Sequence, residues 1–369
     1  MTYSNNAHEC ISYRQYRKIH ATDAMPGVWN LFKSPEKEMT MIVKKEHGAG
    51  GEEMDRFLKH IIFTQLTHNR LEHGLGLLDM DDSGTFSLRG LHIVFSTDAH
   101  TVDPLFFPGG DIGKLAVCGT INDIAVMGAD PLVLSNAMVL PEGTSFAHIE
   151  QILTSMNDIC EEAGVAIICG DTKVAGDNLI ITTSGIGTAE RIISDAGLKI
   201  GDKIIVSGTI GDHGIAIMSH REGISFETSL QSDVAPLNGM ISHILSYDIH
   251  AMKDPTRGGL ANALNEFSEK SRVGIEIMEE AVPVRREVRA ASEMLGLNYY
   301  HVACEGKVVM GVHADNAEDV VEHLHAHPYG KNAAIIGEVI EGDRVLLKTR
   351  IGGRRILEKP IADPVPRVC

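Results

Sequence analysis

Four aspartates have the setting that metal-assisted phosphate chemistry needs. Asp98 closes the apolar run 91–97, Asp123 lies in Gly119-Thr120-Ile121-Asn122-Asp123, Asp171 follows Cys169-Gly170, and Asp254 opens Asp254-Pro255-Thr256-Arg257-Gly258-Gly259. Carboxylates beside small residues at the ends of strands and turns suit Mg²⁺. That cation takes one or two protein carboxylates and fills its other positions with water and phosphate oxygens. Aspartate also caps helices by accepting free amides, and Asp254 fits that role as well. The stretch His47-Gly48-Ala49-Gly50-Gly51 precedes Met54, Phe57, Leu58 and Ile61 at helical spacing. Amides at a helix start can cradle a phosphate. The stretch lacks a Walker A ending and is not a strand-led GxGxxG, so a flexible turn uses the same residues equally well.

The last residue, Cys369, ends a segment over 358–369 that carries Pro360, Pro364 and Pro366. Such an arm is expected to be extended, with a reach on the order of 35 Å. A thiolate at the end of a mobile arm is a good acyl acceptor and can travel between two places. The terminal carboxylate raises the thiol pKa, so a basic neighbour such as Arg367 would help. An incidental cysteine on a frayed tail is the plainer alternative. The residue is not a prenylation site, which places cysteine fourth from the end.

The elements that must hold these residues follow from apolar spacing. Strands are expected at 91–97, 132–140, 165–169 and 179–186, and helices at 112–127 and 146–163. In the last of these Phe146, Ile149, Ile152, Leu153, Met156, Ile159, Cys160 and Ala163 share a face. That face puts Cys160 in the core, and Cys118 and Cys169 are expected there too. A second unit begins near 190. It has strands at 203–207 and 307–313 and helices at 257–270, 284–295 and 316–326. Gly211-Asp212-His213-Gly214 is either a site loop or a plain strand-to-helix turn, and His323 with His327, four apart on a helix, could bind a metal, although a polar solvated face is the simpler reading. The expected organisation is a polar extension over 1–40, an N-terminal domain over 41–189, a C-terminal domain over 190–350 and a flexible tail over 351–369. Mixed strands and helices in two halves point to α+β or α/β domains.

Composition narrows the function. The 369 residues are 43% apolar and carry a net charge of −17. Excess acid argues against a general nucleic-acid binder, which needs a basic face. It leaves a nucleotide enzyme open, because a bound cation reverses the local field. No apolar run approaches the ~18–20 residues of a membrane span, and the N-terminus lacks a signal-peptide core. Six cysteines without a CxxC pair read as reduced thiols of a cytoplasmic protein.

In order, HGAGG, STDAHTVDPLFFPGGDIGKLAVCGTINDIAVMGADP, CGDTKV, VSGTIGDHG, DPTRGG, CEGKVV and the terminal PRVC resemble the HypE family of hydrogenase maturation factors. The resemblance spans about residues 41–369. Looser forms of several motifs occur in aminoimidazole ribonucleotide synthetase, selenophosphate synthetase and thiamine-phosphate kinase, and the Pro-Arg-Val-Cys ending separates HypE from them. The resemblance implies a two-domain ATP-binding fold of the aminoimidazole ribonucleotide synthetase type. Its N-terminal domain forms a β-barrel across a homodimer, and ATP lies between that domain and a C-terminal α/β domain. It also implies a reaction. HypF, a carbamoyltransferase, loads Cys369; the protein dehydrates the carbamoyl group to a thiocyanate with ATP and Mg²⁺; and cyanide passes to iron on the HypC–HypD complex, for a NiFe-hydrogenase. Asp98, Asp123, Asp171 and Asp254 match metal or nucleotide positions, Gly48, Gly50 and Gly51 match the phosphate loop, and Lys114 and Asn122 sit in the nucleotide motif. Lys173 and Glu305 are candidates for activating or deprotonating the modified tail. Cys304 stands where the family pattern has Asn.

Two other functions use the same residues. A small-molecule kinase or ligase of this superfamily would turn over ATP with an external substrate and ignore Cys369→Ala. A scaffold that docks assembly partners through its tail would ignore Asp123→Asn.

Overall fold

The computed structural model describes residues 42–223, 230–365 and 368–369. Contacts divide the chain into Met1–Val43 and Lys44–Cys369, and the strands and helices below belong to the second unit. The expected extension over 1–40 and Arg367 lie outside the described residues. Helix α1 (Gly51–Phe57) comes first. It is followed by strands β1 (Gly84–Leu88) and β2 (Leu91–His100) and a short hairpin of β3 (Phe106–Phe107) and β4 (Gly110–Asp111). Helix α2 (Ile112–Val126), β5 (Asp130–Leu140), α3 (Phe146–Ala163), β6 (Ala166–Val174) and β7 (Ile180–Ala189) complete this half. Five strands join in the order β1-β2-β7-β5-β6. Only β5 and β6 run parallel, and α3 supplies the crossover that such a pair requires.

Helix α2 is buried on nearly all sides, with only Lys114 and Asp123 partly exposed, so it has no face to give to water. It packs between β2 and β7 on one side and α3 on the other. Asp111 starts it: its Oδ1 accepts the Gly113 amide at 2.7 Å and the Lys114 amide at 3.0 Å. Helix α3 begins after Ser145 and stops at Gly164, whose φ of +71° is a conformation glycine adopts without strain.

The second half contains β8 (Lys203–Val206), α4 (Asp212–Arg221), α5 (Asn238–Ser242), β9 (Ile249–Lys253), α6 (Gly259–Ser271), β10 (Gly274–Met278) and α7 (Arg286–Leu295). Then come β11 (Val309–Val312), α8 (Ala317–Ala326), β12 (Ala334–Ile340), β13 (Val345–Lys348) and β14 (Arg354–Ile356). They form a seven-stranded sheet in the order β14-β13-β10-β12-β8-β11-β9. Leu260, Leu264 and Phe267 of α6 bury against Ile275 and Ile277 of this sheet. Among the described residues no helix is long and apolar enough to cross a membrane.

Four expectations change. Strand β2 does not end at Asp98, because its pairing with β7 continues to His100 opposite Ile181. Asp98 therefore lies within a strand, as does Asp171 in β6. Cys169, expected in the core with Cys118 and Cys160, is exposed, because β6 is an edge strand bare along its whole length. The stretch expected to be all tail first forms β14, pairing Ile356 with Leu346. His327 lies just beyond the end of α8, so it does not share a helix face with His323.

Candidate active site

Asp123 projects from the last turn of α2, Asp254 follows β9 directly, and Asp82 precedes β1. These three chain-distant positions each bring a carboxylate oxygen within 4.8 Å of the others. Ser96 Oγ donates to Asp123 Oδ2 at 2.6 Å, and Lys253 Nζ donates to Asp82. Burial and the neighbouring carboxylates push Asp123 and Asp254 well above the ordinary carboxylate range. Burial lifts Asp82 to about 6 against the pull of Lys253. Asp82 Oδ2 is buried without a partner. Repelling carboxylates with an unsatisfied oxygen fit a hard divalent cation, which would neutralise them and take that oxygen as a ligand. Asp82 was missed in the sequence, although Asp81-Asp82-Ser83-Gly84 shows the same acidic-before-small pattern as the other sites.

A cleft of about 830 Å³ opens beside this cluster, lined by Gly50, Gly51, Asp98 and Arg257 together with apolar Leu58, Phe63, Leu77 and Phe86. That size and mixed lining suit a nucleotide-sized ligand. The glycine stretch thus reaches the cleft through Gly50 and Gly51. Gly48 is absent from the lining and instead accepts Arg257 Nη1 on its carbonyl at 3.2 Å. Gly50 and Gly51 have φ of +71° and +74°, and a Cβ on Gly51 would lie 2.3 Å from the Pro360 carbonyl. The C-terminal arm runs past this turn. Its Pro360 and Ile361 carbonyls accept the Glu52 and Glu53 amides, each at 3.3 Å.

The arm ends in a second, smaller pocket of about 40 Å³ lined by Asp98, His100, Asp254, Arg257, Glu305 and Cys369. Asp98, Asp123, Asp254, Thr256 and Arg257 line both cavities. Burial, then the charge of Glu305, pushes the Cys369 thiol up, with Arg257 opposing. Burial, then Asp254 and Asp233, pushes Glu305 well above its usual range. Its Oε1 is buried and unpartnered. Cys369, ahead of Asp98 and Glu305, pushes Arg257 up against the effect of its burial. Arg257 is therefore the basic neighbour of the thiol among the described residues, a role nothing in its DPTRGG motif marks.

Other expected residues stand elsewhere. Asn122 is buried outside both cavities and works as a clamp. Its Nδ2 donates to the Ala235 carbonyl at 3.1 Å and the Glu305 carbonyl at 3.3 Å, and its Oδ1 accepts the Leu237 amide at 2.8 Å. Lys114, in the first turn of α2, donates to the Gly109 carbonyl at 3.3 Å. Asp171 and Lys173 pair with each other at 3.0 Å on exposed β6, outside both cavities. The Asp171 carboxyl is held low by its bonds from Lys173 and the Thr172 amide.

Residues 80–189 match the N-terminal domain of the AIR synthase related proteins and residues 199–349 match their C-terminal domain. This is the two-domain class to which the two sheets and the carboxylate-lined cleft belong. A Methanocaldococcus jannaschii protein named for hydrogenase expression/formation is 50% identical, covering 89% of this chain and 100% of its own. Carbamoyl dehydratase HypE of Rhizobium leguminosarum bv. viciae is 44% identical, covering 88% of this chain and 94% of its own. A solved HypE–HypF complex has a TM-score of 0.77 at 45% identity, covering 82% of this chain and 99% of the other. A HypE structure in complex with ATP has a TM-score of 0.73 at 37% identity, covering 89% and 100%. The chain belongs to the HypE family.

Proposed function

We propose that the chain dehydrates a carbamoyl group carried on its own Cys369 to a thiocyanate, consuming ATP with Mg²⁺, for the cyanide ligands of a NiFe-hydrogenase. The observation that carries this reading is the wall shared by the nucleotide-sized cleft and the thiol pocket. It lets a group on the thiol meet a phosphate from the cleft across the same carboxylates. ATP supplies the phosphoryl group that lets the amide oxygen leave as phosphate, and Mg²⁺ neutralises the charge gathered there.

The chain's own residues do the rest. Asp82, Asp123 and Asp254 would hold the cation, with Asp98 beside them. Cys369 Sγ keeps its bond to carbon throughout. The carbon–oxygen bond breaks, both N–H protons depart, and S–C≡N remains. Glu305, whose burial raises its proton affinity, suits the role of acceptor once ionised. Arg257 offsets negative charge on the leaving oxygen. The small pocket has room for a few heavy atoms, which matches a carbamoyl group and excludes bulk water. HypF would deliver the carbamoyl group and HypC–HypD would accept the cyanide, in the cytoplasm. A homodimer closed through a shared barrel suits β6, where Ile167, Ile168 and Val174 are exposed. Asp171 and Lys173 on that strand would then stand at the subunit interface.

Mass spectrometry of the C-terminal fragment tests the reading. After carbamoylation by HypF or cyanate, Mg²⁺ and ATP should remove one water from that fragment, and Asp123→Asn should not. ATP consumption without the loss would instead indicate an external substrate.

A further inference from the structure

The turn Gly211-Asp212-His213-Gly214 opens α4, and its histidine has no part in the chemistry above. His213 is fully buried. Its Nε2 lies 2.8 Å from the carbonyl of Val368, the residue before the thiol, and its Nδ1 lies 2.7 Å from Ser232 Oγ. Phe107 packs edge-on against the ring at 5.5 Å between centroids. The hydrogen-bond roles follow from the partners. A carbonyl only accepts, so Nε2 carries the proton. Ser232 Oγ accepts the Val234 amide at 3.1 Å, which leaves its own hydrogen for Nδ1. Burial favours this neutral ring. Both ring nitrogens are thus committed, and the Nε2–H points at the arm.

We propose that His213 is a positioning residue that seats the C-terminal arm, its Nε2–H holding the Val368 carbonyl so that Cys369 stays in the pocket with Glu305 and Arg257. Among the described residues the arm's other hydrogen bonds lie at or before Val365. Val368 is buried, and burial alone does not fix the register of the last residues. A directional bond one residue from the thiol fixes the register. The step in which the arm gives up its group within the pocket needs this bond, and loading of the thiol by another protein needs it broken. The inference rests on Cys369 being the carrier.

The test uses the full chain with His213→Leu and His213→Gln. Three quantities are measured: alkylation of Cys369 by iodoacetamide, read on the C-terminal fragment; single-turnover water loss from the carbamoylated protein; and ATP affinity. Losing one buried hydrogen bond shifts the seated equilibrium about tenfold. His213→Leu should therefore alkylate about tenfold faster and lose water about tenfold more slowly, with ATP affinity within about twofold. His213→Gln, which keeps a donor near the Nε2 position, should recover most of both. Wild-type alkylation in a folded His213→Leu overturns the proposal, and so does a Gln variant no better than Leu, which would leave the ring only a packing role. If His213→Leu does not fold, Ser232→Ala replaces it: a smaller shift in the same direction supports the seat, and no shift overturns it. Absence of water loss in the unsubstituted protein refutes the dehydratase reading, while the alkylation comparison still decides the seat.

Discussion

Asp363 ties the C-terminal arm to the turn before α6. Its Oδ2 accepts the Gly258 amide at 3.0 Å, and its Oδ1 accepts the arm's own Val365 amide at 2.7 Å. Its own amide donates to the Ala49 carbonyl at 2.9 Å, so one residue joins the arm, the glycine stretch and the Asp254–Gly259 turn.

Replacing Asp363 with Ala would strand two buried amides, at about 1–3 kcal/mol each if the arm stayed in place. The arm can escape that cost by lifting into water. The expected outcome is alkylation of Cys369 more than about tenfold faster, with the melting temperature lowered by only about 2–4 °C. A large loss of melting temperature with the thiol still protected would contradict this.

Glycines 48 and 51 should respond to alanine with very different magnitudes. At Gly51 the added methyl would meet the Pro360 carbonyl, and the φ of +74° is itself strained for alanine; at Gly48 nothing lies within 4 Å. Urea unfolding should show Gly51→Ala destabilised by about 1–3 kcal/mol and Gly48→Ala by less than about 0.5 kcal/mol. Equal effects would mean the arm does not lie against this turn in solution.

The carboxylate cluster makes stability depend on pH and Mg²⁺ together. In the folded chain Asp82 holds its proton up to about 6, against an ordinary 3.8. Its contribution to stability is therefore complete below 3.8 and is lost as pH rises through about 6. A cation bound by the ionised set restores what is lost. Thermal melts should show Mg²⁺ raising the midpoint at about pH 8 and having little effect at about pH 5, with Asp82→Asn blunting the difference. A Mg²⁺ effect that is the same at both pH values would exclude the cluster as the cation site.

Glu305→Gln removes a proton acceptor while keeping the side chain's size. The backbone bonds of residue 305 to Asp233 and Asn122 do not involve the carboxyl, so folding and ATP affinity should hold. Water loss from the carbamoylated fragment should slow by about 10²–10⁴-fold in single-turnover mass spectrometry. A slowing of less than about threefold would move the proton-accepting role to another group.

Local signals made part of this molecule legible. Helix α3 follows from one amphipathic face between Ser145 and Gly164. The short strands β10, β12 and β13 were not anticipated, because brief apolar runs in a buried sheet carry no alternation to mark them. Asp123, Asp254 and Cys369 stand out because each lies in a short motif whose glycines, prolines or terminal position are local properties, whereas Glu305 is a candidate only through the family resemblance. Asp82 has a similar context, but only its tertiary partners mark it.

The sequence by itself determined the two-part mixture of strands and helices, the acidic groups suited to a cation, and a thiol at the end of a proline-rich arm. Those are properties of residue type and near spacing. Only the tertiary structure decided that Arg257 neighbours the thiol, that Asn122 braces Glu305 rather than lining a cavity, and that Asp171 and Lys173 stand apart on β6. It also decided that His213 meets Val368, a contact between residues 155 positions apart. No local pattern encodes such a meeting, because it depends on how two sheets, a buried helix and the arm share one core.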